Sequence, residues 1–159
     1  MKSAPQEEEL IEEEDLSLGK VLDFMRLVWA LDHRLESASK RMETALGVTG
    51  PQRLVIRIIG RFPGISAGRV ADILHVHPST LTGILRRLEE RGTLVRKWDP
   101  ADGRRALLTL TPKGKSLDQK RTGTVEAAMQ KALTKLSSKQ LADTEKVLSM
   151  LIDELEKMQ

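Results

Sequence analysis

One segment in the middle of the chain combines small hydroxyl side chains with arginines on one side of a predicted helix. At about 100° per residue, its apolar residues fall together on one face. They are Leu81, Ile84, Leu85 and Leu88. The opposite side carries Ser79, Gly83 and Arg86, flanked by Thr82 and Arg87. Hydroxyl groups near a helix N-terminus followed by guanidinium groups can bind the phosphates and base edges of DNA, although a helix that merely faces solvent shows the same pattern.

His75 and His77, separated only by Val76, are the one pair of histidines close enough in sequence to suggest a metal site. The sequence has no cysteine and one further histidine, His33, so a metal site would need carboxylates from distant segments. The absence of cysteine also excludes a disulfide scaffold and a thiol-based redox sensor. No serine lies in a context typical of a nucleophile. We therefore expect no metal site, no cofactor and no enzymatic activity.

Trp29 and His33 lie four residues apart in a segment with helical spacing of its apolar residues. This separation places both side chains on one face of a helix. The pair could line a pocket for a small aromatic ligand, while packing of Trp29 in the core is the simpler account of the same spacing.

Charge is distributed unevenly along the 159 residues. The formal net charge is −5 over residues 1–46, +8 over residues 47–115 and zero over residues 116–159. Most basic side chains of the middle segment are arginines, which suit contacts with phosphates and base edges. We therefore expect the middle segment to meet nucleic acid, the alternative being a solvated basic surface. Residues 1–15 are rich in glutamate and predict a disordered acidic tail.

Cap and stop residues divide the first two thirds of the chain into helices. A long helix is predicted from an N-cap at Ser17 to a stop at Gly47. Three short helices then follow cap residues, namely Thr49 (with Gln52 in a capping box), Ser66 and His77. The last of these has proline at its first helical position and ends at Gly92. After it, residues 93–98 and 104–110 predict two strands, because the turn residues 99–103 separate two segments of β propensity.

The C-terminal third is predicted to be helical. Pro112 starts a helix that should run to about Leu136, weakened near Gly123, and a capping box from Ser137 to Gln140 opens the last helix. Apolar and small residues alternate there at three and four, at Leu141, Thr144, Leu148, Leu151, Leu155 and Met158. This seam is too short for an independent coiled coil. It suits packing against another subunit, although a seam within one chain gives the same pattern.

These elements predict a mainly α fold with a small β-hairpin. Residues 47–111 have the order of a winged helix-turn-helix, in which the last short helix lies in the major groove of DNA and the hairpin flanks it. The helical segments 16–46 and 112–159 are expected to form a homodimer, since the long first helix needs a partner along its length. No stretch approaches the roughly 18 apolar residues of a membrane span, and the N-terminus lacks a basic signal, so we expect a cytoplasmic protein.

Four motifs resemble the MarR family of bacterial transcriptional regulators over about residues 17–157. They are VHPSTLT at 76–82, LEERG at 88–92, DPADGRR at 99–105 and LTLTPKG at 108–114. The resemblance implies a triangular homodimer with interlocked N- and C-terminal helices and one winged helix-turn-helix per subunit. It also implies binding to a pseudo-palindromic operator, usually as a repressor that small aromatic acids release.

The resemblance further assigns roles to single residues. Ser79, Thr80 and Thr82 fall where the family's recognition helix meets the major groove. Arg104 matches the wing arginine that reaches toward the minor groove, and Asp102 matches the aspartate that holds the wing in shape. The candidate DNA-binding residues are therefore Ser79, Thr80, Thr82, Arg86, Arg87, Asp102, Arg104 and Arg105.

Two positions depart from the family's pattern. Gly83 stands where the family often has a basic or polar side chain, so base readout at that position is in doubt. His77 replaces a frequent aspartate N-cap, which weakens the expected start of the helix and removes a negative charge near DNA. An architectural or protein-binding winged-helix module remains the alternative, and it would bind DNA weakly with little difference between sequences.

Overall fold

A computed structural model describes residues 18–158, so the predicted acidic tail at 1–15 and the predicted cap Ser17 lie outside the described part. The helices within it are α1 (Lys20–Leu46), α2 (Gly50–Arg61), α3 (Ala67–Leu74), α4 (Pro78–Glu90), α5 (Pro112–Asp118), α6 (Val125–Leu133) and α7 (Ser138–Glu156). The strands are β1 (Ile65–Ser66), β2 (Leu94–Trp98) and β3 (Ala106–Leu110). This architecture confirms the predicted fold class, mainly α with a small β-sheet in the wing.

Helix α1 begins after Gly19 rather than at the predicted cap Ser17. Gly19 has a φ of 85°, which helical backbone cannot adopt, so the helix starts at the next residue. Its C-terminal end is as predicted, because Gly47 takes the left-handed conformation and its N–H donates to the carbonyl of Glu43 at 2.8 Å. Only Met42 of this 27-residue helix is buried within the chain.

The predicted caps of the next three helices are confirmed. The Thr49 N–H donates to the side-chain oxygen of Gln52 at 3.1 Å, and the Gln52 N–H donates to the Thr49 hydroxyl at 3.4 Å. Ser66 accepts from the N–H of Arg69, and His77 caps α4. These short helices and the sheet enclose the hydrophobic core, which includes Val55, Ile56, Ile59, Val70, Leu81, Leu85, Leu88 and Leu108.

The wing contains a strand that the sequence pattern missed. β1 pairs antiparallel with β3, with Ile65 opposite Leu108, so the predicted two-stranded hairpin is part of a three-stranded sheet of order β1-β3-β2. Two residues carry too little alternation to signal a strand. β3 begins at Ala106 rather than at Arg104, because Arg105 still closes the turn: its N–H donates to the Asp102 carbonyl at 2.9 Å.

The single helix predicted from Pro112 to Leu136 is wrong, since α5 ends at Asp118 and α6 begins after Thr124. The break contains Gly123, the expected weak point, whose φ of 69° helical backbone cannot adopt. Beside it, the guanidinium of Arg53 on α2 donates to the carbonyl oxygens of Leu117 and Lys120. The Thr124 hydroxyl then caps α6. The predicted capping box from Ser137 to Gln140 at the start of α7 is confirmed.

The two ends of the chain present apolar side chains to solvent. Exposed large hydrophobic residues of α1, α6 and α7 include Val21, Leu22, Leu27, Trp29, Met129, Leu148, Met150 and Leu155. The buried core lies almost entirely between α2 and β3 in sequence. None of the described helices combines the length and the apolar character that crossing a membrane requires.

Candidate nucleic-acid interface

Helix α4 separates its buried and exposed sides as the sequence predicts. Leu81, Leu85 and Leu88 are buried against the core, whereas the candidate residues Ser79, Thr80, Thr82, Arg86 and Arg87 are all exposed. Gly83 lies between them, and a Cβ added there would have no heavy atom within 4 Å. These residues therefore form an outward face of α4 that faces solvent.

His77 replaces the usual acidic cap without loss of the cap itself. Its Nδ1 accepts from the N–H of Ser79 at 3.3 Å and lies 2.8 Å from the Ser79 hydroxyl. One turn later the Thr82 hydroxyl donates to the carbonyl of Pro78 at 2.8 Å. The start of α4 is thus held by side-chain hydrogen bonds that carry no negative charge, which suits a surface facing phosphates.

The tip of the wing is shaped by two aspartates. Asp99 accepts from the N–H of Ala101 at 2.9 Å, and Asp102 accepts from the N–H of Arg104 at 3.1 Å. The Arg104 side chain is 98% exposed, with its Nε 3.9 Å from the Asp102 carboxylate, and Arg105 lies 3.8 Å from Asp99. The aspartates therefore position the backbone of the turn, while both guanidinium groups keep only long, solvent-screened ion pairs.

An ion pair that the sequence reasoning missed ties the wing to α4. Arg96 on β2 donates two hydrogen bonds to Glu89 on α4, at 3.2 and 2.9 Å, and both side chains are half-buried. Paired guanidinium and carboxylate groups fix orientation as well as distance. The opposite charges on either side of the turn at Gly92 were the signal available in the sequence. The pair sets the angle between the helix and the wing.

The start of α5 packs tightly against the start of β2. A Cβ built on Gly114 would lie 2.0 Å from the Thr93 carbonyl oxygen. The Thr111 hydroxyl donates to the carbonyl of Gly92 at 2.7 Å and accepts from the N–H of Gly114. This contact fixes the base of the wing on the helix that follows it.

Two further arginines of the basic segment turn inward. Arg53 is 1% exposed, and its Nε donates to Glu126 at 2.7 Å, while Arg57 pairs with Asp118 at 2.6 Å. Burial alone would raise the pKa of Glu126, but the hydrogen bond and positive charge of Arg53, together with hydrogen bonds from the backbone and Thr124, outweigh burial, and the pKa is lowered. Together with Arg96, these residues stabilise the fold, so only part of the basic segment faces outward.

Trp29 and His33 lie on the exposed face of α1, with Trp29 64% exposed. Core packing of Trp29 within the chain, the simpler expectation, is wrong. Neither residue lines either of two cavities in the described part, one of about 530 Å³ and one of about 420 Å³. Residues 18–158 contain no cluster of three or more histidine, aspartate or glutamate side chains that could hold a metal ion.

Comparisons with known proteins agree with this arrangement. A family model described as MarR family matches residues 46–105. The HTH-type transcriptional repressor Rv2887 of Mycobacterium tuberculosis is 30% identical over 106 residues, which make up 67% of this chain and 76% of that protein. The structure of the transcriptional regulator SlyA superposes with a TM-score of 0.73 at 26% identity, covering 86% of this chain and 99% of that one.

A Staphylococcus aureus MepR–DNA complex shares the fold, with a TM-score of 0.71 at 20% identity over 83% of this chain and 97% of that one. The matched segment contains the whole of α2, α3, α4 and β2, and it ends at the wing tip. The relatives extend the likeness to the flanking helices. This chain is therefore a transcriptional regulator of the MarR family.

Proposed function

We propose that this regulator is a sequence-specific repressor that binds a pseudo-palindromic operator as a homodimer. The observation that supports this proposal most strongly is that α4 has an outward face beside a wing whose tip exposes Arg104. The Arg96–Glu89 pair holds these two elements at a fixed angle, as binding in two adjacent grooves requires. A bacterial repressor of this kind works in the cytoplasm, where the chromosome lies.

Each candidate residue has a distinct role in this proposal. Side chains of α4 enter the major groove, where every base pair presents a different pattern of donors and acceptors. They are Ser79, Thr80, Thr82, Arg86 and Arg87. Arg104 and Arg105 reach toward the minor groove and its phosphates, and Asp102 contributes by holding the turn that presents Arg104.

The homodimer is supported by the apolar surface at the two ends of the chain. Leu22 and Trp29 on α1, with Leu148 and Leu155 on α7, remain exposed within a single chain. So many large apolar side chains exposed on two helices are typical of an interface. A two-fold dimer buries the same surface on both copies and presents two α4 helices to two half-sites of DNA.

We further propose that a small aromatic ligand releases the repressor, and that Trp29 and His33 contact it. Both side chains are exposed on α1, at the apolar surface that a second copy would cover. The indole offers an aromatic face to such a ligand, and the imidazole offers a hydrogen-bonding group.

Selection of bound fragments from random duplex DNA at physiological salt tests the proposal. We expect enrichment of a two-fold-symmetric motif whose half-sites lie about one helical turn apart. A parallel selection with Arg86→Ala should yield a weaker or altered motif, because one outward side chain of α4 is lost. Absence of any enriched motif would favour the architectural or protein-binding alternative.

A further inference from the structure

A notch with a volume of about 420 Å³ lies between the wing and the first turn of α3. Trp98 at the end of β2 forms one wall, and Arg104 and Arg105 contribute positive charge. Ala67 and Gly68 lie on the opposite side. None of the described residues that line the notch is acidic. Its contents should therefore be anionic, and its volume is near the small end of ligand pockets, about 300–1,000 Å³.

Small side chains keep this notch open. Ala106 on the central strand β3 stands directly opposite Trp98 in the β2–β3 register, so no large residue covers the indole on that side. Across the notch, a Cβ added to Gly68 would meet no heavy atom within 4 Å. Trp98 is consequently 63% exposed, although burial of an aromatic ring of this size is favourable.

Arg104 and Arg105, two of the three arginines that line the notch, are available to a ligand. Their ion pairs with Asp102 and Asp99 measure 3.9 and 3.8 Å, too long for strong hydrogen bonds. Arg96, by contrast, already forms an ion pair with Glu89. Arg104 also belongs to the wing tip assigned above to the minor groove, so the notch is continuous with that surface.

We propose that this notch holds one sugar–phosphate unit of bound duplex DNA, with Trp98 packed against the deoxyribose and Arg104 and Arg105 on the phosphate. This inference rests on the proposed DNA-binding function and adds Trp98 to the contact residues. An indole offers an apolar face to the sugar and an N–H to a phosphate oxygen. Contacts of this kind position the protein on the duplex and carry no sequence information.

Trp98 can be observed directly because the chain has only two tryptophans. In the Trp29→Phe variant Trp98 is the sole indole fluorophore. The quenching of this variant is compared in the absence and in the presence of DNA. The probe is a mixed-sequence duplex of about 30 base pairs, roughly three helical turns, carrying a fluorescent label at one end. At low salt, label anisotropy reports binding, while acrylamide quenching reports the accessibility of Trp98.

On saturation with duplex we expect the acrylamide quenching constant of Trp98 to fall at least about two-fold, because DNA backbone would cover the ring. Thymidine monophosphate at the same phosphate concentration should give little protection. Binding of the duplex with an unchanged quenching constant would overturn this inference and leave the proposed function standing. Equal protection by the mononucleotide would assign the notch to a free ligand instead. Failure of the duplex to bind the wild-type protein at all would overturn both proposals.

Affinity measurements on otherwise wild-type protein provide a second readout. Trp98→Ala should weaken binding about five-fold or more, and Trp98→Phe should retain most of the affinity, because stacking and packing on an aromatic ring tolerate the smaller ring. The slope of log K against log salt should not change in Trp98→Ala, since no charge is removed. Arg104→Ala should reduce the slope by about one. Equal affinity of Trp98→Ala and wild type would contradict the contact.

Discussion

Arg104 and Arg86 occupy different surroundings, and their replacement should therefore have different effects on DNA binding. Arg104 projects from the wing tip, where the minor groove offers a degenerate pattern, so Arg104→Ala should weaken binding to many sequences with little loss of discrimination. Arg86 projects from the outward face of α4, so Arg86→Ala should cost about 1–3 kcal/mol on the preferred site and much less on random DNA if it touches a base. Titration of both variants on both DNAs measures the difference.

Both side chains are exposed, so folding should survive either change, and circular dichroism provides the control. If Arg104→Ala abolished sequence preference while Arg86→Ala lowered all affinities equally, the two roles would be reversed. If neither variant changed binding, this face would not be the DNA surface.

Glu126 links stability to acid pH through Arg53. Burial raises the pKa of this carboxyl, but the hydrogen bond and charge of Arg53, together with hydrogen bonds from the backbone and Thr124, outweigh burial and lower the folded-state pKa below 4.5. Its contribution to stability is therefore complete above pH 4.5 and is lost as pH falls through the lower folded-state value. Glu126→Gln should lower Tm at pH 7, and its difference from wild type should shrink below pH 4.5.

Thermal melts from pH 3 to 7 measure this dependence, with Glu145→Gln on the exposed surface of α7 as the matched control. The control should follow the wild-type curve closely. A Tm difference for Glu126→Gln that stayed constant across this range would show that the carboxylate charge does not stabilise Arg53.

At the scale of the elements, α5 is closely packed against the start of β2. In Gly114→Ala the new methyl group would meet the Thr93 carbonyl oxygen at 2.0 Å, so the helix or the strand must shift. We expect a loss of about 1–3 kcal/mol in the free energy of unfolding, as overpacking typically costs. Gly83→Ala is the matched control, because open space surrounds Gly83 and alanine favours a helix by about 0.5–1 kcal/mol. Denaturant unfolding that gave both variants the same stability would contradict the packing.

Helix ends that depend on neighbouring residues were predicted well, whereas features that depend on distant residues were not. The caps at Thr49, Ser66 and Ser137 each involve a residue three positions away, so a short stretch of sequence contains the whole motif. The break between α5 and α6 has one local signal, Gly123 with its φ of 69°, which predicted only a weakened helix. The hydrogen bonds of Arg53 to the carbonyls of Leu117 and Lys120 span 64 and 67 positions, so no window of neighbouring residues includes both partners.

The same limit applies to the candidate site. The outward face of α4 follows from helical periodicity alone, and the structure places its residues as that periodicity predicts. The overall excess of positive charge did not distinguish outward arginines from inward ones. Arg53, Arg57 and Arg96 pair with carboxylates or carbonyls inside the fold, and only tertiary contacts identify them.

For the whole molecule, the exposed apolar residues of α1 and α7 predict self-association. Sedimentation at micromolar concentration should show a species of about twice the chain mass of 17.8 kDa. Leu148→Glu should shift this species toward the monomer, because it buries a charge in the interface. Lys146→Glu, an exposed polar position two residues away, is the control. A wild-type protein that sedimented only as a monomer would contradict the interface.

The contacts of Arg53 determine whether the DNA-binding segment can fold as an isolated fragment. Its hydrogen-bond acceptors, on Leu117, Asp118, Lys120 and Glu126, all lie after the wing. A fragment ending at residue 111 would lose each of these acceptors together with α5, which packs against α2 and β3, so part of the buried surface of both elements would be exposed to water. The wing and the three short helices look separable in sequence, but energetically they are not an autonomous module: the helices that would join two copies also complete the folding of the part that would read DNA.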